Sequence, residues 1–298
     1  MRLSEKIICA VRNTFDTLLF FATMAVKEDF RNHVAVAGAQ DMHPDKRLLV
    51  LGNGPSLAEQ MPQLIADKAW EQGDIMAVNF FSTSDEFTTL KPKYYILSDP
   101  QFFRAAGHSQ RVADMYRALA EKVSWPMTLY VQYYNPEKFD YQAAVGHNPN
   151  IRVVKFHTTL FRGFRSVEFW CYRRGLGSGN FGTVVQNGEF IAMLLGYRTI
   201  ELYGVDHTLL EGLTVNEQNQ LCRIQSHYYD TQKAEAKPIY VNATNPPRPY
   251  TMHSYLAETA ELFRGHEVLA DYARTQGVRI INRTHNSMID AYERDPMP

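Results

Sequence analysis

From residue 46 onward, short uninterrupted apolar runs alternate with stretches of helical period. The runs are Arg47–Leu51 (RLLVL), Asp74–Asn79 (DIMAVN), Tyr94–Ser98 (YYILS), Met127–Gln132 (MTLYVQ), Ile151–Phe156 (IRVVKF), Thr199–Tyr203 (TIELY) and Val278–Ile281 (VRII). They are rich in β-branched and aromatic residues and lack polar alternation, which belongs to strands buried on both faces in a mostly parallel sheet. Helical spacing is read between them at Ser56–Lys68, His108–Val123, Val184–Leu195, Met252–Thr275 and Ser287–Glu293, with Gly277 ending the long helix. The alternation predicts an open α/β fold with helices on both sheet faces.

Two regions break this rhythm. In the first, Ile7, Ile8, Val11, Phe15, Leu18, Leu19 and Ala22 recur at helical spacing, ahead of Lys27, Glu28, Asp29 and Arg31. An amphipathic helix is expected, packed on the body or on a second copy, or lying on a membrane surface. A span and an export signal are both rejected, because Asp16 interrupts the apolar stretch, Thr17–Val26 is short, and no small-residue cleavage site precedes Lys27. In the second region, about 206–250, apolar periodicity fades and Pro246, Pro247 and Pro249 crowd the end, so a lid leaving a strand end is expected. The chain thus divides into an N-terminal helical extension, residues 1–40, and a catalytic domain, 41–298, which carries the lid.

The 31 Lys+Arg balance 32 Asp+Glu for a formal net charge of -1, which leaves no basic excess to neutralise a phosphate backbone. Nucleic acid is therefore excluded as the principal partner. Cys9, Cys171 and Cys222 lie far apart without a CxxC pair, so neither a disulfide framework nor a cysteine zinc site is indicated, and a reducing compartment follows.

Candidate chemistry sits where strands end. Gly52-Asn53-Gly54-Pro55-Ser56 follows the first core strand and opens a helix: the glycines admit positive φ and close ligand approach, Ser56 can cap, and a phosphate is the expected guest. Leu57 stands where a dinucleotide fingerprint needs its third glycine, and no Gly-Lys-Ser/Thr follows, so neither an NAD site nor a P-loop is indicated. Asn79 and Asp99 end the next two strands at the same edge, and a carboxamide suits a base or sugar because it both donates and accepts. The Gly175–Thr183 stretch, with Gly182 and Thr183 at its end, reads as a second loop for a sugar or phosphate. Asp206 and His207 follow Thr199–Tyr203, and Tyr228 and Tyr229 in the lid can donate to a departing phosphate. His253 opens the long helix as a candidate general base, with His266 on the same helix as the other choice.

The blocks GNGPSL, AVNFF, LGYRTIELYGVD and GVRIINRTHNSMIDAY together resemble the bacterial family forty-two sialyltransferases, and more widely the motility-accessory flagellin glycosyltransferases and the archaeal hydroxymethylpterin pyrophosphokinases. The resemblance covers about residues 46 to 293. It implies a Rossmann-like sheet in a GT-A variant, a CMP-activated sialic-acid-like keto-sugar acid as donor, a surface-glycan acceptor, no required metal and a histidine base. By position it sets Asn53 and Ser56 at the nucleotide phosphate and sugar, Asn79 on the nucleotide, Asp206 as the acid of the LxGxD block and His253 as the base. Asp99 stands where the sialyltransferases carry Asn, Thr208 where they carry Tyr, and Phe181-Gly182-Thr183 where they carry Thr-Ser-Gly.

The expectation is a cytoplasmic glycosyltransferase, with any membrane contact peripheral and on the inner face. His253, Tyr228 and Asp206 are its catalytic candidates, and Gly52, Asn53, Gly54, Ser56, Asn79, Asp99, Gly182, Thr183 and His207 form its donor site. A magnesium-dependent pterin pyrophosphokinase, with Asp99 and Asp206 holding the metal, is one alternative; a non-catalytic nucleotide-binding module is the other.

Overall fold

In the computed structural model, which describes residues 3–38, 45–105, 107–179, 182–224, 236–241 and 247–296, the apolar runs become one sheet. Its first six strands are β1 (Arg47–Leu51), β2 (Gly73–Val78), β3 (Tyr94–Leu97), β4 (Met127–Gln132), β5 (Ile151–Phe156) and β6 (Thr199–Tyr203). The later strands are β7 (Leu213–Val215), β8 (Leu221–Ile224), β9 (Ala236–Pro238), β10 (Tyr240–Val241), β11 (Arg248–Pro249), β12 (Arg279–Asn282) and β13 (Glu293–Arg294). The main sheet has eight strands in the order β13-β12-β6-β1-β2-β3-β4-β5, and all of its pairings are parallel. Strands run outward from β1 to β5, then the chain returns to the other side of β1 for β6. The direction therefore reverses between β1 and β6, which opens a crevice beyond their carboxyl ends.

Burial on both faces explains the unalternating runs. Leu48 and Val50 enter one core with Met76, Val78, Ile200 and Leu202, while Leu49 and Leu51 enter the other with Ile75 and Ala77. Each fully buried aliphatic side chain contributes about 1.5–3 kcal/mol relative to exposure. The α-helices of six residues or more are α1 (Leu3–Lys27), α2 (His33–Gly38), α3 (Ser56–Ala66), α4 (Gln110–Lys122), α5 (Arg165–Arg173), α6 (Val184–Leu194) and α7 (Met252–Gln276). Helices α6 and α7 cover the first face, and α3 and α4 the second. Gly277 ends α7 in the left-handed conformation at φ 65°.

Three expectations change. Ser287–Glu293 is not helical: the Ser287 hydroxyl donates to the Val205 carbonyl at 2.7 Å and Arg294 donates to the Ser287 carbonyl, which ties this stretch across the strand ends before β13 pairs with β12. Helix α5 has no counterpart among the sequence-read helices. The lid region holds a three-stranded antiparallel sheet, β7-β8-β9, and a β10-β11 pair.

Helix α1 docks through a face other than its apolar stripe. Phe20 and Met24 are buried and Phe164 N–H donates to Thr17 Oγ1, whereas Ile7, Ile8, Val11, Phe15, Leu18 and Leu19 are all more than half exposed. The apolar stripe points away from the body. By length and composition alone the helix is long and apolar enough to cross a membrane, and 11% of that stretch is buried.

Candidate functional site

The loops after β1 and β6 interlock at the switch point. Gly52 N–H donates to Tyr203 O at 2.7 Å and Gly54 N–H to Gly204 O at 2.8 Å. A Cβ on Gly52 would lie 2.3 Å from Gly204 O, and one on Gly54 would lie 1.7 Å from Asp206 Oδ2. Neither glycine has a positive φ. The motif is glycine-rich because two loops must touch, which corrects the expectation of left-handed turns made for a ligand.

Ser56 and Asp206 are likewise recast. Pro55 takes the cap position of α3 without a side-chain bond. The Ser56 hydroxyl donates to Asp206 Oδ2 at 2.8 Å, and Ser56 N–H to Asp206 Oδ1 at 3.2 Å. Leu57 and Ala58 N–H donate to Gly54 O and Pro55 O, each at 3.1 Å. The anion at this helix N-terminus is thus the chain's own carboxylate, and the phosphate expected there is displaced. Burial pushes the Asp206 carboxyl above its ordinary range, against the pull of the Ser56 bonds.

Beyond these loops lies a cleft of about 200 Å³. It gathers Asn53 and Gly54 from the β1 loop, Asn79 at the end of β2, Thr183 to Val185 at the start of α6, Asp206 and His207 after β6, and Arg223 from β8. Thr183 caps α6 by accepting from Val185 N–H, so the positive end of that helix opens into the cleft. Asn53 Oδ1, Asn79 Oδ1 and His207 Nε2 are buried there without a hydrogen-bond partner. Each such atom costs about 1–3 kcal/mol until a ligand group meets it. Asn79 and His207 also adopt left-handed backbones, at φ 53° and 51°, a conformation that costs non-glycine residues about 1–3 kcal/mol and concentrates at functional sites.

His207 rests on a buried polar group. Its ring centroid is 5.1 Å from that of His266, whose Nδ1 lies 2.9 Å from the Tyr292 hydroxyl. Tyr292 in turn donates to Glu189 Oε2 at 2.5 Å, so the Nδ1–H of His266 donates to the Tyr292 oxygen. Burial, then repulsion from His266, holds the His207 pKa down at about 3, and the ring is neutral at physiological pH. Burial and Glu189 push the Tyr292 hydroxyl well above its usual range.

A second cavity of about 520 Å³ adjoins the cleft and shares Leu209 and Arg223 with it. Gly182, Tyr250, Tyr255 and Glu258 also line it. The Arg223 guanidinium donates to the Tyr255 hydroxyl, which donates to Leu209 O at 2.8 Å, so the cation is held at the junction of the two cavities.

Asn53, Gly54, Asn79, Thr183, Asp206 and His207 therefore meet in one cleft, with Gly52 and Ser56 behind them and Gly182 in the neighbouring cavity. Asp99 lies apart: it accepts from Gln101 N–H at 2.9 Å and lines a different cavity with Arg104 and His108. His253 is exposed on the first turn of α7 and lines neither cavity of the site. Tyr228 and Tyr229 lie outside the described residues. Arg223 and Glu189 carry no motif, and Tyr292 closes the block GVRIINRTHNSMIDAY without standing out within it; only the side-by-side placement of β6, β8, α6 and the last loop reveals them.

No protein family and no curated protein matches the sequence. Among solved structures, the chain is similar to the MAf glycosyltransferase from Magnetospirillum magneticum AMB-1, with 16% identity and a TM-score of 0.43 over 85% of this chain. It is also similar to the sialyltransferase CstII from Campylobacter jejuni, solved in complex with a substrate analogue, cytidine-5′-monophosphate, with 15% identity and a TM-score of 0.41 over 84% of this chain. The chain spans 34% of the length of the Magnetospirillum protein and 85% of the Campylobacter one.

Proposed function

We propose that the chain is a glycosyltransferase that binds a nucleotide-sugar donor in the cleft between the β1 and β6 loops and transfers the sugar without a metal. One observation carries the proposal: buried unpartnered Asn53 Oδ1, Asn79 Oδ1 and His207 Nε2 share a cleft with the N-terminus of α6 and with Arg223. Unpaired acceptor oxygens call for donors, and ribose hydroxyls and the exocyclic amine of cytosine supply them. The start of α6 and Arg223 suit the phosphate. The larger adjoining cavity suits the donor sugar and the acceptor, and the block resemblance to sialyltransferases supports a CMP-linked keto-sugar acid.

The reaction is a direct displacement. An acceptor hydroxyl oxygen bonds to the anomeric carbon, the bond from that carbon to the phosphate oxygen breaks, and its electron pair leaves with the nucleotide. The hydroxyl proton passes to His207, which lines the cleft and is neutral, so His207 takes the base role that the sequence lent to His253. A phosphate bound beside it raises its proton affinity. The pyrophosphokinase alternative fits less well, since Asp206 is committed to Ser56 and Asp99 lines another cavity. We place the enzyme at the inner face of the cytoplasmic membrane, held by the outward stripe of α1.

Calorimetric titration with CMP tests the donor site. Asn79→Ala should weaken binding about tenfold, the value of one hydrogen bond of about 1.4 kcal/mol. Equal affinity in wild type, Asn53→Ala and Asn79→Ala overturns the assignment.

A further inference from the structure

A second polar centre lies where the N-terminal helices meet the edge of the sheet, remote in sequence from the cleft loops. Asp29 and His33, in the joint between α1 and α2, face His157, which follows β5. The carboxylate and imidazole ligand atoms of these three residues all fall within 4.8 Å of one another. His33 Nε2 is 2.9 Å from Asp29 Oδ1 and 3.0 Å from Oδ2, and His157 Nε2 is 3.5 Å from Oδ1. Tetrahedral coordination with bonds of about 2.0–2.1 Å sets ligand atoms about 3.3 Å apart, within this range.

The neighbours orient these atoms inward. Glu28 is 8% exposed and His157 2%. Thr158 donates its N–H and hydroxyl to Glu28 Oε1 at 2.7 and 3.1 Å, which leaves Oε2 facing His157 Nδ1 at 3.3 Å. His157 Nε2 donates to the Arg31 carbonyl at 2.9 Å and also faces Asp29 Oδ1, so its N–H stands where the ion would take the nitrogen's electron pair. Arg31 N–H fixes Asp29 Oδ1 from behind at 2.9 Å. Clustered carboxylate and imidazole ligand atoms with a second carboxylate behind the histidine are the arrangement by which proteins hold a cation through imidazole.

We propose that Asp29, His33 and His157 bind a divalent transition-metal ion of the zinc type, with Glu28 orienting His157 from outside the coordination sphere. Two imidazoles and one carboxylate suit zinc and disfavour magnesium or calcium. Asp29 and His33 are about 30% and 29% exposed, which gives the ion an entry path. The ion staples the joint between α1 and α2 to the end of β5 and so sets the direction in which α1 leaves the body.

The test uses the full chain, stripped with chelator and titrated with Zn²⁺ alone against a chromophoric competitor. Wild type should take up one ion per chain with micromolar or tighter affinity. His33→Ala and Asp29→Asn should each weaken uptake at least tenfold, and Zn²⁺ should raise the thermal midpoint of wild type but not of His33→Ala. Because His157 is buried, His157→Gln is a supporting variant, and the two half-exposed positions carry the test if it misfolds. Absence of stoichiometric uptake, or uptake unchanged by His33→Ala and Asp29→Asn, overturns the proposal and leaves a protonated imidazole in the ion's place. Nucleotide binding at the cleft is a separate readout, so failure here leaves the donor site standing.

Discussion

Replacing His207 by Asn tests whether the cleft holds a neutral buried imidazole. Asn tolerates the left-handed backbone of φ 51° found at this position, so the change removes the titrating ring without forcing the loop. In the folded protein the ring has a pKa of about 3, against 6.5 for an ordinary histidine. Between these values the unfolded chain binds a proton that the folded chain does not, so stability falls as pH drops through 6.5 toward 3 and is fully retained above 6.5. At pH 5.0 the linkage costs wild type about 2 kcal/mol relative to pH 7.5, and any folded pKa below 4 gives the same figure. The assay is urea unfolding of both proteins at pH 7.5, 6.5, 5.5 and 5.0. The stability difference, wild type minus variant, should become about 2 kcal/mol less favourable to wild type from pH 7.5 to 5.0, with most of the change below 6.5. A difference that stays constant across the range refutes a neutral buried ring.

Gly54→Ala drives a methyl to within 1.7 Å of Asp206 Oδ2 and breaks two bonds to Ser56, so unfolding should cost about 3 kcal/mol less and the thermal midpoint should drop by roughly 6 °C; a drop below 2 °C contradicts the interlocked loops. Arg223→Gln should weaken CMP binding at least tenfold while unfolding stays near wild type, and unchanged affinity moves the phosphate elsewhere. Gln at Ile8, Val11, Phe15 and Leu18 should abolish flotation with anionic vesicles without lowering the thermal midpoint, since all four are exposed. If wild type does not float but elutes as a dimer that the variant loses, the stripe is a self-association surface.

Much of the fold was legible because parallel strands buried on both faces announce themselves as continuous apolar runs, as in RLLVL and TIELY. Ser287–Glu293 misled because its spacing is helical while Ser287 and Arg294 spend their hydrogen-bonding capacity on backbone carbonyls instead. Strands β7 to β9 escaped because they are short and mostly exposed, with burial concentrated at Leu221 and Cys222. In the site, residues ending strands were found because parallel topology gathers strand ends at one edge, as with Asn53, Asn79 and His207. The partnership of Ser56 with Asp206 was not, because those residues lie 150 positions apart and either one alone reads as a cap or an acid. The orientation of α1 was left open for a related reason: periodicity identifies an apolar face and does not say which side the body takes, and here Phe20 and Met24 on another side dock.

The most direct test of the central claim is a thermal-shift panel of CMP, CDP, UDP, GDP and ADP, each with magnesium and with chelator. A ligand at a hundred times its dissociation constant adds about 2.7 kcal/mol, or roughly 5 °C in a chain of this size. The account predicts a shift with a cytidine nucleotide that persists in chelator. A shift confined to ADP with magnesium contradicts it.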